Sequence, residues 1–259
     1  MKVPFLDNLV RMTKMPHMIP KKDIQRLKYV HPGHKRSYTI VFKRFIQQQK
    51  YSKKVYMHRA VLKFDLRKKK VSKVALKEIV KNRKGQRFIA FFMLIKNNDM
   101  SYHLNAIIID TKLRILERFE PVGPDENRIG VSYLELNEST KIYYAIAKQI
   151  EEGLNIVIAE IIEPIVACPF NIGLQLSEER EEKTRKMIEF NRRYDIRGYC
   201  AAWSMMYICI RINNPKLDSP TIHREIYARS KGKHGLSALI RAFYYNLLKF
   251  RIKNKIDIN

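Results

Sequence analysis

Three residues of this 259-residue chain have the types and placement for nucleophilic acyl transfer: Cys200, His103 and Glu120. A cysteine attacks as its thiolate, and two things favour that form: the positive end of a helix and an imidazole that can take the proton. Cys200 follows Gly198 and Tyr199 and opens the apolar stretch YCAAWSMMYICIRI, which reads as a helix. Its sulfur is therefore expected at the first turn, where the helix dipole stabilises negative charge. Cys209 falls in the middle of the same stretch, and Cys168 precedes a proline in a loop. The competing account of Cys200 is a small buried hydrophobe, the usual state of a free cysteine.

His103 and Glu120 bracket the segment HLNAIIIDTKLRILERFEPVG, two apolar strands around a short polar turn. With a two-residue turn near Lys112, position 103 lies across from the region 119 to 121, beside Glu120. A carboxylate there would accept from the imidazole N–H and fix its tautomer. A purely structural His–Glu pair would have the same spacing.

The elements that must hold these residues can be read from apolar periodicity and turn signals. RFIAFFMLIKN, SYHLNAIIID and LRILERFE form three adjacent strands of a meander, joined at NNDM and TK. A helical pattern over roughly 138–152 closes at Gly153, and LNIVIAEII reads as a buried strand. SEEREEKTRKMIEFNRRYD has the charge order of a helix capped by Ser177. The helix of Cys200 stops at NNP, and SPTIHREIYARS and GLSALIRAFYYNLLKFRIKN form two more. Upstream, SYTIVFKRFI and VYMHRAVLKFDL read as short strands, and SKVALKEIVKNRKG as a short helix between Ser72 and Gly85. The fold class is α+β, a mainly antiparallel central sheet flanked by helices. A basic N-terminal extension, residues 1–84, precedes a domain over 85–259.

Charge supplies a second line of inference. The net charge is +26, and residues 1–100 hold 27 Lys and Arg against 5 Asp and Glu, a balance of +22. Such asymmetry suits a polyanionic partner, with nucleic acid foremost and an acidic protein as the alternative. A lysine-rich solvated surface is the bland counterpart. The 46% hydrophobic content sustains a packed core and 10% aromatics argue against a disordered chain. Three cysteines make neither an even disulfide set nor a metal-type pair, which suits a reducing compartment. FIAFFMLI is too short to span a bilayer, and the N-terminus has no apolar leader core, so an intracellular, non-secreted protein is expected. No phosphate-binding glycine loop or metal motif is present, so no cofactor is expected.

The segment from His103 to Glu120, with Gly123 three residues on, resembles the histidine-to-acid region of the SUMO-specific protease and adenovirus endopeptidase (adenain) superfamily. The order His103, Glu120, Cys200 is also that of the superfamily. The wording HLNAIIID, ERFEP, CP, GLQ and GYCAAWS is similar to a group of proteins of large DNA viruses. The resemblance spans roughly 87–215. It implies an adenain-like fold and a cysteine peptidase that cleaves peptide or isopeptide bonds, in the virion or the host cytoplasm. Departures are Leu104 where tryptophan is common, Ala201 where glycine follows the nucleophile, and Tyr194 where the oxyanion glutamine stands. Gln175 is the nearest upstream glutamine able to serve that role. The resemblance also implies nucleic acid as a possible cofactor by analogy. The rival is a virion protein, minor capsid or genome-contacting, that keeps the fold without the activity.

Overall fold

Six strands form one mixed sheet in the computed structural model, in the order β2-β1-β3-β4-β5-β6. The strands are β1 (Val55–Asp65), β2 (Lys70–Val71), β3 (Phe88–Lys96), β4 (Tyr102–Asp110), β5 (Ile115–Phe119) and β6 (Glu160–Ile162). The helices are α1 (Pro4–Thr13), α2 (Lys35–Gln47), α3 (Lys73–Asn82), α4 (Cys200–Asn213), α5 (Ser219–Ser230) and α6 (Gly235–Lys253). A further helical segment covers 147–154. The structure describes residues 3–13, 35–49, 52–65, 70–71, 73–96, 102–121, 144, 147–164, 168, 173–174, 177, 200–230 and 235–256.

The class is α+β and three of the five ladders are antiparallel, as expected, but the sheet is mixed rather than purely antiparallel. The β3-β4-β5 meander is antiparallel, as its short turns require, whereas β1 pairs with β3 and β5 with β6 in parallel. A parallel pair needs a long crossover, and α3 lies in the one between β1 and β3. Helix α3 ends at Asn82, shortly before Gly85, which takes a positive φ of 68°. The stretch SYTIVFKRFI, expected as a strand, is part of α2. Its buried residues Val41, Phe42, Phe45 and Ile46 recur with a helical period, and this stripe packs into the core. Only Glu160–Ile162 of LNIVIAEII joins the sheet: Leu154 closes a helix and Val157 is 59% exposed.

Both faces of β3 are covered, and every residue from Phe88 to Leu94 is buried. Phe88, Ala90 and Phe92 share a core with α1, α2, α4 and α6, while Ile89, Phe91 and Met93 meet α3 and the 147–154 helix. The division at residue 84 follows charge. Packing does not follow it: Leu6 and Leu9 of α1, Phe42 of α2 and Met57 of β1 lie in the same core as α4. An Arg229–Asp7 ion pair also joins α5 to α1.

The β4–β5 turn has four residues, 111–114, rather than two. Asp110 builds it, its Oδ1 accepting the backbone N–H of Lys112 at 3.1 Å and of Leu113 at 3.2 Å. Arg114 closes it with a φ of 59°. This turn sets the register, Asp110 opposite Ile115 and Ala106 opposite Phe119. One further step puts Glu120 opposite Asn105, so position 103 is its diagonal neighbour rather than its direct partner.

Candidate functional site

Helix α4 is the central element of the face that also carries α1, α2 and α6. Every residue from Ala201 to Ile212 is buried, and such a helix is apolar all round because it has no solvent side. Cys200 is its first residue and is half-buried, so the thiol lies at the helix N-terminus with partial access to solvent. Cys209, two and a half turns on, is fully buried, and burial raises its pKa well above the ordinary thiol value. Cys168 is buried as well, its N–H donating to the carbonyl of Pro164 at 2.8 Å.

The packing of α4 on the sheet fixes where its N-terminus points. Ser204 Oγ donates to the carbonyl of Leu104 at 3.3 Å, and Leu104 directly follows His103. One turn further, the ring of Tyr207 stacks on Phe119, centroids 4.1 Å apart and planes 9° from parallel; Phe119 directly precedes Glu120. Further still, Arg211 Nε donates to Glu117 Oε2 at 2.8 Å. The helix therefore runs in the same direction as β4. Cys200 is one turn, about 6 Å, on the N-terminal side of Ser204 and on the same helical face. That displacement carries it toward the start of β4, where His103 is paired in the ladder with Ile95. The start of β4, the end of β5 and the N-terminus of α4 thus share one end of the sheet.

Glu120 is 4% exposed and its carboxylate is engaged laterally. Arg118 Nη2 donates to Glu120 Oε2 at 3.4 Å, and Arg118 Nε donates to Asn105 Oδ1 at 2.8 Å. Arg118 is paired with Ile107, which packs on the face of the sheet away from α4. Asn105 and Arg118 were not anticipated as neighbours of the acid. Their signal was polar residues at strand positions where the alternation calls for apolar ones. Gln175 lies outside the described residues.

A second polar group, also unanticipated, sits under the middle of α4. Glu117, 1% exposed, accepts from Ser219 Oγ at 2.7 Å and from the hydroxyl of Tyr207 on Oε1, with Arg211 on Oε2. Burial, then the neighbouring Glu117 charge, holds the Tyr207 hydroxyl well above the ordinary phenol pKa. Burial opposes the Arg211 charge, but Glu117, aided by Tyr207 and Asp110, outweighs it and the pKa is raised. The His223 ring lies against Tyr207, centroids 5.2 Å apart and planes tilted by 45°; burial lowers its pKa, so the ring is neutral at neutral pH. Tyr207 and Arg211 lie seven and eleven residues past Cys200, about 10–16 Å along the axis, so this group is remote from the thiol.

Among the described residues no helix is long and apolar enough to cross a membrane, and no cluster of three His, Cys, Asp or Glu could hold a metal ion. No family model matches the chain, and neither a curated protein nor a solved structure matches it.

Proposed function

We propose that the chain is a cysteine peptidase of adenain-like fold that hydrolyses peptide or isopeptide bonds. Cys200 is the nucleophile, His103 the base and then the acid, and Glu120 the carboxylate that orients the imidazole. The Cys200 thiolate adds to the carbonyl carbon, and the tetrahedral oxyanion is held by the Cys200 N–H and the Gln175 side chain. The C–N bond then breaks as His103 gives its proton to the leaving amine, leaving a thioester. His103 next takes a proton from water, whose oxygen attacks the thioester and frees the carboxylic acid and the thiol. The observation that carries this reading is the run of α4 along β4, with Ser204 fastened to the residue after His103 and Cys200 one turn beyond. The resemblance favours a virion or the host cytoplasm as the place of this activity.

One observation favours the second reading, an inactive virion protein that keeps the fold: the Glu120 carboxylate is paired with Arg118. The two are separated with an electrophilic peptide or ubiquitin-like probe on the full chain. Labelling of Cys200 faster than a free thiol at neutral pH, lost in Cys200→Ala with circular dichroism unchanged, is the expected result. Labelling no faster than free cysteine removes the nucleophile assignment.

A further inference from the structure

A groove of about 680 Å³ opens between α2, the start of β1 and the end of α3, on a part of the molecule that holds none of the candidate catalytic residues. Four lysines line it from separate elements: Lys43 of α2, Lys53 of the 3-10 turn Ser52–Lys54, Lys81 of α3, and Lys84 of the loop that follows. One carboxylate, Glu78, opposes them. The convergence is not forced by packing, since Lys53, Lys81 and Lys84 are exposed and Lys43 half-buried. Like charges gathered around one hollow repel one another until an anion occupies it.

The rest of the lining narrows the class of anion. The Tyr56 side chain forms part of the wall, and its hydroxyl is 3.2 Å from Nδ1 of His58, which is fully buried and fixes the ring in place. Nε2 of the same histidine is 4.0 Å from Glu78 Oε2. Ile46 and Met57 supply apolar surface, and Gln47, Asn82 and Gln86 supply amides. Point-charge ammonium groups suit phosphate oxygens, and an aromatic wall beside them suits a base stacked next to its backbone.

We propose that this groove binds a chain of phosphate groups, carried either by a single nucleic-acid strand or by a free oligophosphate. The proposal locates the polyanion contact at named residues and is independent of whether Cys200 is active. The test uses the full chain and a fluorescent oligothymidylate, titrated at 50 and 200 mM salt. Four phosphate contacts give a log–log slope of about −2.8, an affinity loss of about 50-fold over that range. The variant Lys53→Glu/Lys84→Glu halves the contacts, so the salt-dependent loss falls to about 7-fold and low-salt affinity drops. The control Lys112→Glu/Lys253→Glu makes the same change in net charge at exposed positions outside the groove, and leaves binding near wild type. Tripolyphosphate that displaces the oligonucleotide shows that a free phosphate chain suffices; if it does not, the strand itself is the ligand. The proposal is overturned if the two double variants weaken binding equally, if oligothymidylate does not bind at 50 mM salt, or if polyglutamate of equal charge binds as tightly.

Discussion

Replacing Arg211 with methionine strands the Glu117 carboxylate inside the protein. Both residues are nearly inaccessible, 3% and 1% exposed, and the Arg211 Nε–Glu117 Oε2 bond of 2.8 Å is the direct charge partnership in the group. Removing one member of a buried pair costs roughly 3–5 kcal/mol, because the remaining charge keeps its desolvation without its partner. Glu117 retains its bonds from Ser219 and Tyr207, which places the expected loss near the lower end, about 3 kcal/mol. In urea, with a slope of about 2–3 kcal/mol per molar, the midpoint should fall by about 1–1.5 M. The double variant Arg211→Met/Glu117→Leu should recover much of this loss. It removes both charges, and Arg211 Nη1 has no hydrogen-bond partner among the described residues to lose. Circular dichroism across a urea series on wild type, both single variants and the double variant gives the full cycle. A double variant no more stable than the worse single one would refute the argument, as would a loss below about 1 kcal/mol in Arg211→Met.

Because His223 has a pKa below 6.5 in the folded protein, the unfolded chain binds its proton first; stability from this group is full above pH 6.5 and declines as pH falls below it. Thermal melts at pH 7.5 and 5.5 should show this decline, and His223→Leu should lessen it. A thiol-reactive disulfide reagent should modify Cys200 in the native protein and reach Cys209 only when denaturant is added; equal native rates would contradict the burial of α4. A Cβ at Gly153 would sit 2.8 Å from Leu76 Cδ1 and 3.1 Å from Leu76 Cβ, so Gly153→Ala should cost roughly 1–3 kcal/mol by overpacking, read as a lower urea midpoint.

What the sequence disclosed about this fold depended on whether the governing interaction was local. The β3-β4-β5 meander and helices α4 to α6 follow from apolar runs and turn residues lying within each segment. SYTIVFKRFI misled because β-branched and aromatic residues favour strands, while the decisive fact was the stripe Val41, Phe42, Phe45, Ile46 meeting a core built mostly from distant segments. The pairing of β1 with β3 has no local signature at all. The register of the hairpin was off by a few residues because the Asp110 carboxylate organises the turn, and this side-chain geometry is not visible in a turn motif. At the site, the helix-start position of Cys200 was legible from GYC. The partnership of Glu120 with Arg118 was not, since it depends on which positions of two strands become neighbours.

The late position of α4 in the chain bears on how the protein is made. Ninety-four residues separate Phe119 at the end of β5 from Asn213 at the end of α4. Translation at about 5–20 residues per second takes roughly 5 to 19 s to cover that distance. Throughout this interval Phe92, Ala106, Ile108 and Phe119 have been synthesised while the helix that covers them has not. An uncovered apolar sheet face is an aggregation hazard in a nascent chain. The +22 balance of the first 100 residues is already present and keeps such chains apart by mutual repulsion. A chain that stops at residue 199 should accordingly stay dispersed in low salt and precipitate as added salt screens that repulsion, whereas the full chain should remain dispersed in both.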